Sequence, residues 1–283
     1  LNQVLLGEQR IPAKDSISFI RYLHDPSDPK SISNNVINAL SVDDGGNLWI
    51  GTDEGINRLD TKYLMRTEEE PEYSAEFICY KNNPLDNESL NYNFVRSLFF
   101  DVTGTLWAGT STGLNKQKNY KFQTFQQEVT ENSLASNKIQ TFLEDGHQDI
   151  WIGSSKGLNL FDRRDHTFDF ILRGAILSVC EDQEGYIWIG QWHKGLKRYD
   201  PRTGESVSFR NSADPNSLGV DHIFTTYVDS RNHVWVCTWG GGLNLYNRKM
   251  ENFTRFMPES GNDSSLTDDH VCAIHEDREG VLW

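Results

Sequence analysis

The sequence predicts an all-β fold made of repeated four-stranded antiparallel sheets, and three observations support this prediction. A frame of the type Asp-x-x-Gly-x-apolar-Trp recurs six times, with intervals between its tryptophans of 58, 44, 37, 47 and 48 residues. Each interval holds short strand-like segments separated by turn residues. A period of roughly 40–50 residues with four strands is typical of a β-propeller blade. The aspartate–tryptophan pairs are Asp43 and Trp49, Asp101 and Trp107, Asp145 and Trp151, Asp182 and Trp188, Asp229 and Trp235, and Asp277 and Trp283.

Each aspartate is predicted to begin a tight turn between two strands. Aspartate can accept hydrogen bonds from backbone N–H groups that follow it, and a residue three positions later must tolerate positive φ. Glycine occupies that later position in four copies and Asn232 in a fifth, whereas Gln148 occupies it in the third copy. We therefore expect a variant turn at Gln148.

The strand that carries each tryptophan is apolar at successive positions, as in residues 187–189. Such a strand must be covered on both faces. A glycine follows two residues after the first four tryptophans, on the same face, where another backbone can approach closely. Cys237 replaces this glycine in the fifth copy. Face-to-face packing of neighbouring sheets is the expected result.

The repeat assigns residues 1–283 to a single predicted propeller domain. Residues 1–35 are predicted as the closing strands of a cut blade, and residues 271–283 as the start of a further blade. Both ends fall within the motif, so we treat the chain as a fragment of a ring in which seven blades are favoured and six are possible. Complete blades are predicted at 36–80, 94–125, 139–171, 176–210 and 223–256.

Composition limits the classes of partner. The formal net charge of −14 argues against nucleic acid as a partner. A mean hydropathy of −0.60 and the lack of an 18-residue apolar run argue against a membrane-spanning segment in this sequence. The four cysteines lack metal-ligand spacing and are interpreted as small buried thiols. No cofactor is predicted.

A second signature precedes the first strand of five copies. Serine followed by an apolar residue stands eighteen residues before the tryptophan, and an asparagine or aspartate follows four residues after the serine. We interpret this segment as a connection pinned by an Asx turn. The fourth copy lacks it and has a short link through Gly174, which accounts for the interval of 37 residues.

Three signatures in phase carry a family resemblance: Ser-Leu-Ser-x-Asn-x-Val, Asp-x-x-Gly-x-Leu-Trp-Ile-Gly-Thr and Gly-Leu-Asn-x-Tyr-Asp. Together they resemble the two-component regulator propeller repeat. The resemblance implies the periplasmic, extracytoplasmic sensor region of a Bacteroides-type hybrid two-component histidine kinase that detects a glycan-derived oligosaccharide. It also implies a soluble, non-enzymatic chain whose parent protein is membrane-anchored and homodimeric, with the kinase outside these residues.

Two loops stand out as candidate ligand-binding segments. Gln191-Trp192-His193-Lys194 and Thr238-Trp239-Gly240-Gly241 are one residue longer than their counterparts, and each places a tryptophan four residues after the blade tryptophan. Adjacent copies are expected to be neighbours, so Trp192 and Trp239 could present faces on which sugar rings stack. The alternative is that each packs over its neighbouring blade as scaffold.

Two histidines share one position, thirteen residues before a tryptophan: His222 beside Asp221, and His270 beside Asp269. Such a cluster could bind a metal or a polyol, or it could line a hydrated channel with Asx turns. No catalytic residue and no metal ligand is predicted. The candidate ligand-binding residues are Trp192, His193, Lys194, Trp239, Asp221, His222, Asp269 and His270.

Two other function classes remain open. A metal-dependent lyase-type propeller enzyme would use a residue such as His222 or His270 with a carboxylate. A non-catalytic scaffold would only bind protein or dimerise. The repeated aspartates do not indicate paired-carboxylate chemistry, because six identical turns explain six identical aspartates.

Overall fold

A computed structural model describes residues 2–6, 17–60, 75–118, 121–130 and 132–283. In these ranges the regular structure consists of strands, without a helix. The chain divides into two compact units, residues 1–125 and residues 126–283. Of the predicted closing strands at 1–35, residue 1 and residues 7–16 lie outside the described ranges.

The first unit contains a two-stranded sheet and two four-stranded sheets, all antiparallel and connected in sequence order. Its strands are β1 (Asn2–Leu6), β2 (Ile17–Arg21), β3 (Ile37–Val42), β4 (Leu48–Thr52), β5 (Gly55–Leu59), β6 (Phe77–Tyr80), β7 (Val95–Phe100), β8 (Leu106–Thr110), β9 (Leu114–Lys118) and β10 (Lys121–Phe125).

The second unit contains three four-stranded antiparallel sheets with the same order. Its strands are β11 (Ile139–Glu144), β12 (Ile150–Ser154), β13 (Gly157–Asp162), β14 (Thr167–Arg173), β15 (Ile176–Glu181), β16 (Ile187–Gln191), β17 (Gly195–Tyr199), β18 (Ser206–Phe209), β19 (Ile223–Val228), β20 (Val234–Thr238), β21 (Leu243–Asn247) and β22 (Asn252–Phe256).

The predicted all-β fold of four-stranded antiparallel sheets is confirmed. The grouping of the sheets into one domain and the number of blades remain predictions. Residues 271–283 differ from expectation, because they form one isolated bridge, between Glu276 and Leu282, rather than strands. Around the Asp277 turn the backbone hydrogen bonds reach only as far as His275 and Trp283.

The repeated aspartates do more than turn the chain. In all six copies one carboxylate oxygen accepts a hydrogen bond from the indole Nε1 of the tryptophan six residues later, at 2.7 to 2.9 Å. The other oxygen accepts from the backbone N–H four residues later, as Asp182 does from Tyr186. Burial alone would raise the pKa of Asp229, but hydrogen bonds from Trp235 and His233 lower it below its ordinary value.

The expectation of a variant turn at Gln148 is wrong. Gln148 adopts a φ of 67°, close to the 65° of Asn232 and the 79° of Gly185. Its backbone N–H bonds the carbonyl of Asp145, as Gly185 bonds Asp182. The hydrogen bonds to Asp145 therefore stabilise a positive φ at Gln148, a backbone conformation that glycine or asparagine usually occupies.

The sheets of the second unit pack face to face around their tryptophans. Trp188 is fully buried, and its ring lies 4.7 Å from that of Tyr246 on the next sheet. One core cluster joins Trp188 and Leu196 to Leu218, Ile223 and other residues of that next sheet. A Cβ on Gly190 would come within 2.6 Å of Ile223 Cγ2, so the close approach requires glycine. Trp151 is buried in the same way against the sheet that follows it.

The first unit repeats this packing. Trp49 lies 5.7 Å from Phe100 of the following sheet and belongs to a cluster with Val95 and Leu106. In contrast, Trp283 is 77% exposed. The buried-thiol interpretation holds for Cys237, whereas Cys79 and Cys180 are half-buried. It is wrong for Cys272, which is exposed because residues 271–274 lie outside any strand.

We expect Asp182→Ala to lower the free energy of unfolding by about 3 kcal/mol, because it removes the acceptor of a buried indole N–H and of two backbone N–H groups. It also removes one of the two carboxylates that pair with Arg248. Urea unfolding measures this loss. Gln183→Ala is the matched control, since its side chain is exposed and one residue away. A loss below about 1 kcal/mol would show that solvent replaces the carboxylate.

We expect Gln148→Gly to raise the free energy of unfolding by about 0.5–1 kcal/mol, because glycine adopts positive φ without steric cost. Gly185→Ala, at the equivalent turn, should lower the free energy of unfolding. Both values come from chemical unfolding at neutral pH. If Gln148→Gly destabilises the chain, the glutamine side chain contributes more than its backbone conformation costs.

Candidate functional site

Asp221 makes a hydrogen bond that recurs among the copies and stabilises the connection between sheets. Its Oδ1 accepts the backbone N–H of Asn211 at 2.7 Å, and its Oδ2 lies 3.3 Å from Arg210. Asn93 accepts the N–H of Asn82 in the same way at 2.7 Å, and Asn137 accepts that of Gln127. The carboxylate of Asp221 therefore holds the connection as predicted, but the Asx-turn interpretation is wrong for this residue, because the bonded N–H lies ten residues earlier and not two residues later.

A buried asparagine on the third strand completes this connection, and sequence reasoning missed its role. Asn159 and Asn244 are fully buried and accept backbone N–H groups of Ala135 and Gly219. The fourth copy has Lys197 at this position, on a strand whose sheet lacks the connecting segment. The fourth copy thus lacks both the third-strand asparagine and the connecting segment. Comparison of the copies in the sequence could have shown that the two features occur together.

The two longer loops lie at the opposite end of the sheets from the aspartate turns, because each follows the second strand whereas the turn precedes it. The N–H of Trp192 bonds the carbonyl of Ala175 at 3.0 Å, and that of Trp239 bonds His222 at 3.0 Å. The loops also reach the next copy, where Gly195 and Gly242 donate to the carbonyls of Asp221 and Asp269, respectively. These bonds place both tryptophans beside the histidine of the following copy.

The structure brings five aromatic side chains of the second unit into one continuous group, here called the aromatic row: Trp192, His222, Phe224, Trp239 and His270. Trp192 stacks on His222 with ring centroids 4.8 Å apart. Phe224 meets Trp192 edge-on at 6.1 Å and stacks on Trp239 at 5.6 Å. Trp239 then contacts His270 at 4.6 Å. Trp239 remains 43% exposed, so the row presents aromatic surface to solvent.

Phe224, at the centre of the row, was not predicted as a site residue. It lies at a break in the register between Ile223 and Thr225, which is a β-bulge. A bulge changes the direction of one side chain, which then no longer follows the alternation of side chains between the two faces of the strand. The other first strands carry the same bulge, where the side chain of Asn38 reaches Asp53 in the loop after the second strand. An aromatic residue eleven positions before a blade tryptophan is the sequence signal.

His193 lies beside the row in a strained backbone conformation. Its φ is 63°, and the equivalent residue in the next copy is Gly240, with a φ of 92°. Its Nδ1 lies 2.6 Å from Nε2 of His222, and its ring is edge-on to Trp192 at 5.0 Å. The neighbouring Lys194 is exposed, and its stem lies near Gly174.

The far end of the row is acidic. His270 Nδ1 lies 2.8 Å from Asp268 and 2.6 Å from Asp269. Hydrogen bonds from the backbone and side chain of His270 hold the pKa of the exposed Asp268 carboxyl below its ordinary value. Asp268 was not among the predicted residues, although its position beside Asp269 made it visible in the sequence.

The aromatic row is partly open to solvent, since Trp239 is 43% exposed. A cavity of about 410 Å³ in the same unit lies beside Trp235, Phe256 and Leu282, and it includes no residue of the row. The row offers apolar ring faces, with imidazole, ammonium and carboxylate groups at its edges. Such an arrangement suits an extended ligand with apolar faces and many hydroxyls.

Comparison with known proteins supports the fold and the repeat. The two-component regulator propeller model matches residues 31–54. A curated relative, histidine kinase P4 of Formosa agariphila, is 27% identical over 259 residues, which is 85% of this chain and 17% of the kinase.

Solved structures of two kinds share the fold. The extracellular domain of a hybrid two-component system of B. thetaiotaomicron aligns with a TM-score of 0.67 and 19% identity, over 93% of this chain and 40% of that one. Virginiamycin B lyase of Staphylococcus aureus aligns with a TM-score of 0.56 and 11% identity, over 80% of this chain and 71% of that one. The described part of this chain holds no helix suited to crossing a membrane.

We expect the pKa of the Asp268 carboxyl to move partway back toward its ordinary value in a His270→Ala variant, because the backbone hydrogen bond from residue 270 stays and the imidazole hydrogen bond is lost. Carbon NMR of the side-chain carboxyl, recorded against pH, measures the shift. Asp25 is the internal control, since hydrogen bonds from Ser27 lower its pKa and do not involve this site. An unchanged Asp268 titration would show that the backbone alone sets it.

Proposed function

We propose that this chain, which carries the two-component regulator propeller repeat, is part of the ligand-sensing region of a hybrid two-component histidine kinase. The match at residues 31–54 and the alignment with a histidine kinase over 85% of the chain support this proposal. The chain spans only 17% of that kinase. Kinase activity would therefore belong to another part of the parent protein.

The proposed location is extracytoplasmic, in the periplasm, as part of a membrane-anchored protein. The similar structure from B. thetaiotaomicron is described as an extracellular domain. A sensor in this position would meet its ligand outside the cytoplasm. Binding would then have to be transmitted through the rest of the parent protein, for which a homodimer is the proposed assembly.

The proposed ligand is an oligosaccharide derived from a glycan. Sugar rings have apolar faces that pack on aromatic side chains and hydroxyl groups that hydrogen-bond at the edges. In the aromatic row, consecutive ring centroids are 4.6 to 6.1 Å apart, so the row is long enough to contact more than one sugar ring.

One observation carries the ligand proposal: aromatic side chains from two copies converge at the loop end of neighbouring sheets, away from the repeated aspartate turns. Trp192 and Trp239 lie outside the frame that builds each sheet. Their rings are joined by Phe224, which a bulge turns out of the core pattern. If Trp239 served only to pack against the neighbouring sheet, there would be no need for 43% of it to be exposed to solvent.

We expect a matching oligosaccharide to raise the melting temperature of the chain, because a ligand that binds only the native state stabilises it by about 2.7 kcal/mol at one hundred times its Kd. The probes are partial digests of neutral polysaccharides, namely β-glucan, mannan, xylan and arabinan. A Trp192→Ala/Trp239→Ala double variant should lose the shift. Differential scanning fluorimetry followed by calorimetric titration provides the measurement.

Phe170→Ala is the matched control, because Phe170 is an aromatic residue that is 44% exposed and does not belong to the row. It should keep the full shift. A shift that survives the double variant would move the site elsewhere. Chelator-sensitive turnover of a substrate would establish the lyase class instead, and self-association without any ligand response would establish the scaffold class.

A further inference from the structure

Two imidazole rings of the second unit face each other through their nitrogens. Nδ1 of His193 lies 2.6 Å from Nε2 of His222, with ring centroids 4.3 Å apart and ring planes nearly perpendicular at 87°. The two residues come from different copies, one on the loop after β16 and the other just before β19. Among the described residues, this is the pair of histidines with facing ring nitrogens.

This contact restricts what the pair can bind. A neutral imidazole has one N–H and one lone pair, whereas a protonated imidazole has two N–H groups and no lone pair. Two facing nitrogens can therefore share a single proton, or they can direct both lone pairs at one cation. Neutral imidazole is the commonest protein ligand of transition metals.

The backbone at His193 indicates that the imidazole is retained at a cost. A φ of 63° is uncommon outside glycine, although histidine adopts it more readily than most residues, and the equivalent residue of the next copy is Gly240 at 92°. Glycine would satisfy the same turn without strain. The contacts that hold His193 are with His222 and Trp192.

The partner ring is held firmly. His222 stacks on Trp192 at 4.8 Å with an interplanar angle of 24°, and its backbone carbonyl accepts the N–H of Trp239. His193 is exposed, so its ring can move outward. The pair therefore combines one fixed ligand with one adjustable ligand.

We propose that His193 Nδ1 and His222 Nε2 form a binding site for a divalent transition metal of tetragonal preference, Cu²⁺ or Ni²⁺. Cis ligands of a square-planar ion, with metal–nitrogen bonds near 2.0 Å, lie about 2.8 Å apart, whereas tetrahedral Zn²⁺ requires about 3.3 Å. The observed 2.6 Å is a hydrogen-bond distance and is shorter than both spacings, so metal binding requires the exposed His193 ring to move outward, and the tetragonal spacing needs the smaller movement. Water or ligand oxygens complete the coordination. This inference goes beyond the proposed function and does not depend on it.

The chain provides two matched variants for the test. His193→Gly restores the residue type that the next copy uses at this position, so the fold should be kept and the metal site removed. Gly240→His installs an imidazole where a Cβ would lie 3.9 Å from Nε2 of His270. This variant should create a second two-histidine site, formed by residue 240 and His270, in the equivalent loop of the next copy.

The experiment titrates the full, untagged chain with Cu²⁺ and records electron paramagnetic resonance spectra and isothermal calorimetry. We expect one site with hyperfine coupling to two imidazole nitrogens. His193→Gly should weaken Cu²⁺ binding at least about tenfold while the melting temperature stays the same or rises. Gly240→His should bind a second equivalent. His270→Ala tests the separate group of Asp268, Asp269 and His270 and should leave the first site intact.

The proposal is overturned if the wild-type spectrum shows no coupling to two nitrogens, or if His193→Gly binds Cu²⁺ as tightly as wild type. It is also overturned if His270→Ala removes the binding, because the metal would then sit at the acidic end of the aromatic row. A His193→Gly variant that unfolds would be replaced by His222→Gln, for which the same loss of coupling is expected.

Discussion

The hydrogen bond from each indole to the carboxylate six residues before it is the constraint on which the sheets depend. An indole N–H that is buried without a partner is costly, and a turn between two strands needs its own N–H groups satisfied. One aspartate side chain meets both needs, since its two oxygens serve the turn and the ring separately. The bulky tryptophan can therefore fill the space between sheets without leaving a polar atom unpaired.

This arrangement separates the repeated turn from the variable loop along each strand. The aspartate turn fixes one end of the second strand, and the loop at its other end is free to differ among copies. In three copies that loop is short, with residues such as Thr52 and Ser154 bonding back to the chain. The fourth and fifth copies place Trp192 and Trp239 in this loop, and in the fifth copy Thr238 still bonds back to the carbonyl of Gly242. The packing of the sheets then determines which side chains of adjacent copies can meet.

Most of the fold could be predicted from the sequence because it depends on repetition. Six aspartates and six tryptophans in phase specify the turns, and apolar residues on both faces specify packing on both sides. The turn at Gln148 was misjudged because propensity alone does not register the hydrogen bonds that stabilise a strained φ. Cys272 was misjudged because an apolar pattern predicts burial only where a strand actually forms.

The candidate site was predicted less completely. Trp192, His222, Trp239 and His270 do come together, since each loop reaches the next copy. Phe224 was missed because strict alternation along a strand does not allow for a bulge. Single-sequence reasoning also gave no means of foreseeing that the nitrogens of His193 and His222 would face each other, since that depends on rotamers and loop conformation rather than on spacing.

The bulge in each first strand has a consequence for how such a molecule diversifies. The displaced side chain makes no demand on the core, and the five copies hold Asn38, Arg96, Gln140, Leu177 and Phe224 there. Each sheet thus carries one interchangeable position next to a variable loop. The surface at this end of the sheets can therefore change by exchange of these few positions while the repeated framework stays the same.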